Sequence, residues 1–216
     1  MSYEATNTND KVFYSVFDAS FRRRVPEGTP NAITRVNKKG VQVSELETNA
    51  LFGLIENVAI EDSDYGKQVK ITLDKNNDGK HPILSFGVES KNGRDILKKL
   101  PSVDFSKEVR VLPYRFTSEE TGDEMSGISL TQPDENGDFK VKVENFFFDP
   151  VGKKYLHDFP TIDWDSATEA EQKIYRIHRD EFLVKYVQEN VVSKFQNVST
   201  SVEYPSEEIR AEDVGF

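Results

Sequence analysis

The side chains best suited to bind a charged ligand lie near the start of the chain, where aromatic rings precede a run of arginines. Residues 11–30 contain four aromatic side chains, Phe13, Tyr14, Phe17 and Phe21, and three arginines, Arg22, Arg23 and Arg24. Between residues 22 and 39, six cations accompany a single carboxylate, which gives a net charge of +5. Guanidinium groups bind phosphates and carboxylates through fixed pairs of N–H donors. This segment could therefore bind an anionic ligand.

The end of the chain carries the opposite charge. Residues 203–216 contain five carboxylate side chains and one arginine, a net charge of −4 before the terminal carboxylate is counted. An exposed ring gains nothing at a frayed terminus, so the final residue, Phe216, suggests a docking function. The whole chain has a net charge of −10, which argues against a general binder of polyanions. Any binding of nucleic acid must depend on the uneven distribution of charge.

The composition predicts one packed core with extensions. A chain of 216 residues with 36% hydrophobic residues can bury a sizeable core. The mean hydropathy of −0.62 predicts a soluble protein, and no apolar run approaches the ~20 residues that span a bilayer. The N-terminus lacks the pattern of a signal peptide, so a cytoplasmic location is expected. The absence of cysteine excludes disulfides and thiolate nucleophiles.

Short β-type segments separated by turn residues predict a mainly β fold. The predicted strands are 51–62, 67–74, 81–89, 106–116 and 126–132, and a short helix, 92–100, follows the third strand. Gly53 is a candidate bend in the first strand. Upstream, residues 33–47 predict a hairpin whose turn carries Lys38 and Lys39. The core order is β-β-β-α-β-β.

The C-terminal third predicts an irregular connection, a long helix and a tail. The pattern from Ser166 to Glu169 fits a capping box. An apolar stripe follows along the helix: Ile174, Ile177, Val184, Val187, Val191 and Phe195. We divide the chain into an N-terminal arm and hairpin, a β core, a connection with the long helix, and a disordered acidic tail, with ranges 1–50, 51–148, 149–197 and 198–216.

The order of three strands, a helix and two strands, joined to an acidic tail that ends in Phe216, resembles a known family. It is similar to phage-type and bacterial single-stranded DNA-binding proteins, which have a five-stranded OB-fold barrel and an acidic C-terminus ending in phenylalanine. Bacterial tails usually carry consecutive aspartates and a proline before the last residue, whereas this chain ends EDVGF. The phage-like version of the resemblance is therefore favoured, with a location in the host cytoplasm.

The resemblance implies a protein without enzymatic activity, cofactor or metal. Such a protein coats single-stranded DNA without strong sequence preference during replication, recombination or repair. Its tail, here Glu212, Asp213 and Phe216, would recruit replication or recombination proteins. The tail carboxylates would also compete with DNA for a basic groove. The oligomeric state, monomer or dimer, stays open.

In an OB-fold the ligand usually crosses strands 2 and 3 between two loops. The resemblance places Tyr65, Lys67, Phe86, Tyr114, Arg115 and Phe116 there. The N-terminal arm and hairpin would add Tyr14, Phe17, Phe21, Arg22, Arg23, Arg24, Arg35, Lys38 and Lys39. Tyr114 and Phe116 are two residues apart, so on a strand they share a face while Arg115 points the other way. We expect other rings to pack internally: Phe13, Phe52, Phe105, Phe146, Phe147 and Phe148.

Two other functions are compatible with the sequence. A structural or adaptor protein, for instance of a virion, could use the barrel and the long helix for protein contacts. A metal-dependent nuclease is suggested by Asp134 after Pro133, followed by Asp138 and Lys140. Only three residues separate these two motif elements, too few for the strands that normally carry them.

Overall fold

The structure is a computed structural model that describes residues 10–37, 40–64, 66–76, 79–119 and 121–199, with side chains as far as residue 196. These residues form a mainly β fold with two large sheets, a short helix after β8 and a long C-terminal helix. Of the tail predicted to be disordered (198–216), residues 198 and 199 are helical, and residues 200–216 lie outside the described residues. Among the described residues, no helix combines the length and apolarity needed to cross a bilayer.

Seven strands form the larger sheet. They are β1 (Lys11–Phe17), β2 (Ser20–Val25), β3 (Ile33–Val36), β4 (Gln42–Thr48), β6 (Ile55–Ser63), β7 (Gly66–Leu73) and β8 (His81–Gly87), whereas β5 (Leu51–Gly53) belongs to a second sheet. The spatial order is β3-β4-β2-β1-β8-β7-β6. Only β1 and β8 run parallel, and the other neighbours are antiparallel. The N-terminal strands, expected as an extension, thus continue the sheet formed by β6, β7 and β8.

A second sheet has four antiparallel strands. They are β5 (Leu51–Gly53), β9 (Val109–Thr117), β10 (Glu124–Gln132) and β11 (Val141–Lys142), in the spatial order β11-β10-β9-β5. Beyond it, β12 (Phe148–Asp149) and β13 (Lys154–Tyr155) form a small hairpin. Within residues 139–148, the strand residues are therefore limited to β11 and the first residue of β12.

The bend predicted at Gly53 passes the chain from one sheet to the other. Gly53 has φ of 150°, and a Cβ there would collide with the carboxylate of Asp74. The same carboxylate accepts a hydrogen bond from the Leu54 N–H at 2.9 Å. The Asp74 N–H donates to the Leu54 carbonyl, also at 2.9 Å. These contacts hold the end of β5 against the end of β7.

The core order β-β-β-α-β-β predicted from the sequence is confirmed by the elements β6, β7, β8, α1, β9 and β10. Helix α1 (Lys91–Lys99) begins at Ser90, whose hydroxyl accepts from the Gly93 N–H at 3.0 Å. Its apolar face, Ile96 and Leu97, is fully buried, as is Leu100 just beyond it. These side chains pack with the alternating Val69, Ile71 and Leu73 of β7 in the main hydrophobic cluster.

Side chains of α1 occupy the seam between the two sheets. The Asp95 carboxylate accepts a hydrogen bond from the Ile128 N–H at 2.9 Å, and the Lys99 ammonium donates to the Ile128 carbonyl. Asp95 and Lys99 also form an ion pair at 2.9 Å. The N–H and the carbonyl of Ile128 are therefore both hydrogen-bonded to side chains of α1. In the described part of the chain the strand pairings do not close the sheets into a ring.

The long helix α2 (Glu169–Val187) begins two residues later than the sequence suggested. Its capping box joins Thr168 and Glu171, whereas the predicted box began at Ser166. Ser166 instead donates to Asp163 at 2.8 Å. A π-helical segment (Gln188–Val192) and α3 (Ser193–Ser199) continue the axis, and buried Val191 and Val192 pack on the core.

Candidate functional site

The alternation of β1 sorts its side chains onto two faces of the larger sheet. Phe13 and Phe17 lie on one face and are 58% and 42% exposed. Tyr14 lies on the other face and is 8% exposed, because it pairs with the core residue Leu84 of β8. Successive side chains of a strand point to opposite faces. Phe13, rather than Tyr14, is therefore the ring next to Phe17 on the surface.

The same alternation divides the three arginines of β2. Arg22 pairs with Ser15 of β1 and so lies on the face of Phe13 and Phe17. Arg24, two residues further, shares that face. Arg23 pairs with Leu46 of β4 and points to the opposite side. The run of arginines thus contributes two of its three cations to the exposed aromatic surface.

Arg35 of β3 lies on the same surface, where it contacts Glu45 of the neighbouring strand β4. Its guanidinium donates two hydrogen bonds to Glu45, each 2.7 Å long, and Glu45 is only 4% exposed. These hydrogen bonds raise the pKa of Arg35. Arg35 lies 5.4 Å from the ring centroid of Phe17, and Arg22 lies 4.0 Å from it. Phe17 therefore makes cation–π contacts with two guanidinium groups.

These side chains form one continuous surface, which we name the aromatic–basic face. It consists of Lys11, Phe13, Ser15, Phe17, Arg22, Arg24 and Arg35. A cleft of about 560 Å³ runs over it and is lined by five of its charged or aromatic members together with Val12, Tyr14, Ser15, Ser85 and Glu45. The surface therefore combines an open cleft, exposed rings and cations.

Three members of the aromatic–basic face are available for a ligand. Among the described residues, Lys11 and Arg24 make no ion pair, and Phe13 makes no ring contact. Arg22 differs, because it forms an ion pair with Glu47 at 3.1 Å. A ring and two cations without partners can accept flat and anionic groups at no cost in broken contacts.

For three of the rings, the prediction that they bind the ligand is wrong. Tyr14, Phe21 and Phe86 are 8%, 0% and 4% exposed and belong to the hydrophobic core. Phe86 pairs with Val69 of β7, and Phe21 pairs with Val16 of β1, on the core side of the sheet. A ring enclosed on both sides cannot stack on a nucleobase. Their burial follows from the same alternation that exposes Phe13.

Lys67 also lies away from the aromatic–basic face. It forms an ion pair with Asp62 across the β6–β7 hairpin at 3.0 Å. Its position on β7 has the same alternation as the core residue Val69, and it lines a groove beside α2 instead. The other predicted site residues Lys38, Lys39, Tyr65, Glu212, Asp213 and Phe216 lie outside the described residues.

The β9–β10 hairpin reaches the turn between β1 and β2. Arg115 binds Asp18 of that turn at 2.9 Å and Glu124 of β10 at 2.7 Å. Tyr114 and Phe116 share the opposite face of β9, with ring centroids 5.8 Å apart, as predicted. Tyr114 lines a cleft with Val16, which lies on the far side of β1 from Phe13. Burial and the nearby Asp95 raise the pKa of Tyr114.

Phe13 and Lys11 were not among the binding residues predicted from the sequence. Phe13 was expected to pack internally, as was Phe52, yet they are 58% and 49% exposed. The signal that identifies Phe13 is the alternation of KVFYSVF, in which Val12, Tyr14 and Val16 form the apolar face. Of the rings expected inside, Phe147 is fully buried and contacts a cluster of aromatic rings on α2.

The acidic motif around Asp134 forms a turn. One Asp134 carboxylate oxygen accepts from the N–H groups of Asn136 and Asp138, at 2.9 and 3.0 Å. Asp138 in turn pairs with Lys140. These polar groups satisfy their own loop, and the described residues include no group of three or more His, Asp or Glu side chains placed to hold a metal.

No family model, curated protein or solved structure matches this chain at a significant level. The aromatic–basic face is therefore the main structural indication of function.

Proposed function

We propose that this protein binds single-stranded DNA and coats it without strong sequence preference in a phage-type system of replication, recombination or repair. The observation that carries the proposal is the aromatic–basic face, where exposed Phe13 lies beside Lys11 and Arg24, which have no ion pairs among the described residues. Single-strand binders combine aromatic platforms for bases with cations for phosphates. Every base has a π-face, so such binding tolerates any sequence.

The dimensions of the sheet suit an extended ligand that crosses its strands. Neighbouring strands lie about 4.8 Å apart, so the path from β3 to β1 across β4 and β2 covers about 14 Å. The order of the strands places Arg35, then Arg24 and Arg22, then Phe13 along this path. A polynucleotide on this path would meet cations first and the exposed ring next.

The core of the protein also has the strand order of an OB-fold barrel. Strands β5 to β10 with α1 follow the OB-fold order, and the bend at Gly53 lets one strand serve both sheets. We propose that this core is a partly open OB-like barrel in which α1 fills the seam. The N-terminal strands β1 to β4 then add to the sheet beside the third barrel strand, β8, and the aromatic–basic face lies mainly on these added strands.

Salt dependence provides the first test. If Lys11, Arg22, Arg24 and Arg35 each contact a phosphate, the log–log slope of affinity against salt should be about −2.8, at about −0.7 per contact. The measurement is a titration of a fluorescent dT oligonucleotide at several salt concentrations. Absence of binding at low salt, together with a stable oligomer in solution, would instead favour the structural or adaptor function.

Arg24→Gln should weaken binding and reduce the steepness of the slope by about 0.7, because one cation without an ion pair is lost. A matched control is Lys185→Gln, which removes an exposed cation from α2. Thermal melting of both variants should match the parent, since neither side chain has an ion pair among the described residues. An unchanged slope for Arg24→Gln would remove Arg24 from the site.

The acidic tail would regulate binding by electrostatic competition. Its carboxylates imitate phosphates, so deletion of residues 203–216 should raise the affinity for dT at low salt. The gain should shrink as salt rises, because screening weakens both competitors. Comparison of the two proteins across the same salt series measures this difference. Glu212, Asp213 and Phe216 would also recruit replication or recombination proteins.

A further inference from the structure

The outer face of α2 carries apolar side chains that the core does not cover. Leu183 and Val187 are fully buried, whereas Ile174 and Ile177, earlier on the helix, are 53% and 51% exposed. Both isoleucines belong to the apolar stripe identified in the sequence. Large apolar side chains that adjoin one another on a surface mark an interaction site.

A groove of about 420 Å³ lies along this face of α2, beside the segment that follows β8. We name it the α2 groove. Val88, Ile177 and Val184 supply its apolar wall. The α2 groove shares no lining residue with the cleft over the aromatic–basic face. A partner in the α2 groove therefore leaves the aromatic–basic face open.

Charged side chains of both signs line the α2 groove. They are Lys67, Arg94, Lys173, Arg176, Glu89, Asp180 and Glu181. Three of these are already in ion pairs, Arg94 with Asp180 at 3.3 Å and Lys67 with Asp62 at 3.0 Å. The other four, Lys173, Arg176, Glu89 and Glu181, make no ion pair with any described residue. Two unpaired cations and two unpaired carboxylates fit a partner that itself carries both signs of charge.

Two of the unpaired charges on α2 are placed symmetrically about Ile177. Lys173, Ile177 and Glu181 are spaced four residues apart, so they form one ridge along the helix. Lys173 lies about 6 Å before Ile177 along the helix axis, and Glu181 lies about 6 Å after it. Ridges of this spacing interdigitate in the commonest class of helix packing. When two antiparallel copies of the ridge meet at Ile177, each lysine lies beside a glutamate of the other copy.

We propose that the outer face of α2 is the interface of a symmetric dimer, in which α2 crosses α2 of a second copy of this chain in the antiparallel sense. Ile177 meets Ile177 of the partner subunit beside the two-fold axis. Lys173 pairs with Glu181 of the partner subunit, and this contact occurs twice because a two-fold interface repeats every contact. The second copy covers Ile177 and Val184 and supplies both signs of charge at the required spacing.

The dimer is tested first by dilution of the unmodified full chain. One pair of crossed helices is at the small end of specific interfaces, so the dimer should dissociate as the protein is diluted. Sedimentation velocity over about a hundredfold range of protein concentration should show a shift from dimer to monomer. A monomer at every concentration would overturn the proposal.

A substitution at the centre of the interface tests its position. Ile177→Asp places two carboxylates beside the two-fold axis, so this variant should remain a monomer at every concentration. The matched control is Val151→Asp, at a 92% exposed position outside the groove, which should dimerise as the parent does. Both variants should melt at the temperature of the parent monomer, because both side chains are exposed. Dimerisation of Ile177→Asp equal to that of the parent would overturn the proposal.

Charge reversal tests the antiparallel arrangement. Lys173→Glu and Glu181→Lys each place like charges together at both ends of the interface, so each variant alone should dimerise at least about tenfold more weakly. A chain with both substitutions restores opposite charges and should dimerise as the parent does. In a parallel pair, each of these residues would instead meet its own copy. Failure of the double variant to recover, or equal dimerisation by all of these chains, would overturn the proposal.

This inference concerns α2 alone and does not depend on DNA binding. The sedimentation experiments contain no nucleic acid, so their failure leaves the proposal of DNA binding standing. A dimer with the expected response to these substitutions but without affinity for dT would contradict only the DNA-binding proposal. Because the two surfaces share no residue, each subunit of the dimer keeps its own aromatic–basic face.

Discussion

Phe13→Ala should weaken the binding of a dT oligonucleotide roughly 5- to 150-fold, which corresponds to the loss of one stacked base at about 1–3 kcal/mol. Phe13 is 58% exposed and makes no ring contact among the described residues, so its face is open to a base. The measurement is an anisotropy titration with labelled dT at constant salt. The free energy of unfolding should change by less than about 0.5 kcal/mol.

Phe52→Ala is the matched control for this prediction. Phe52 is 49% exposed, but it lies on the second sheet, where it contacts Phe139 at 5.3 Å between ring centroids. Its loss should leave the affinity for dT unchanged. If the two variants bind equally well, Phe13 does not stack on a base. If Phe52→Ala shows the larger loss, rings of the second sheet contact DNA. Either result would show that the aromatic–basic face is misassigned.

Phe86→Ala should destabilise the fold by about 3–5 kcal/mol, the usual cost of truncating a buried phenylalanine. The ring is 4% exposed and packs with Val69 and Leu84 in the core cluster. Its removal leaves a cavity in this cluster. Urea denaturation of the variant and the parent measures the difference in the free energy of unfolding.

The affinity of the Phe86→Ala variant for DNA also shows whether Phe86 is a core ring or a binding ring. The resemblance placed it among the DNA contacts, and the structure places it inside. Folded Phe86→Ala protein should therefore bind dT with an affinity close to that of the parent, measured well below its melting temperature. A large loss of affinity with no loss of stability would show that the ring faces the ligand.

Much of the fold follows from local patterns in the sequence. The alternation of Val69, Ile71 and Leu73 and the turn residues between segments predict the strands of the core and their order. The bend at Gly53 follows from the one residue type that fits beside the Asp74 carboxylate. Helix α2 is predicted in position, although two adjacent S/T-x-x-E patterns compete and Thr168 with Glu171 forms the cap.

Long-range pairing is the part that the sequence does not specify locally. The parallel contact between β1 and β8 joins residues about seventy apart in sequence, from Lys11 to His81, and no local pattern identifies it. The role of α1 at the seam has the same origin. Asp95 and Lys99 are predictable as a helical ion pair, but their bonds to Ile128 depend on the packing of the two sheets.

The sequence predicted the residue types of the candidate site, but only some of the residues that form it. Phe17, Arg22, Arg24 and Arg35 come together as a basic and aromatic surface. Grouping residues by closeness in sequence also included Tyr14, Phe21 and Arg23, whose side chains point to the opposite side. Because strand neighbours alternate, closeness in sequence predicts a shared surface only for residues two apart.

The most direct test of the central claim is photo-crosslinking of the protein to a dT oligonucleotide that carries 5-iodouracil, with the sites mapped by mass spectrometry. We expect crosslinks on β1 and β2, with Phe13 and Phe17 as the main sites, and their loss when unlabelled dT competes. Crosslinks confined to Phe52, Phe116 or α2, or no crosslink at low salt, would contradict the claim that single-stranded DNA lies on the aromatic–basic face.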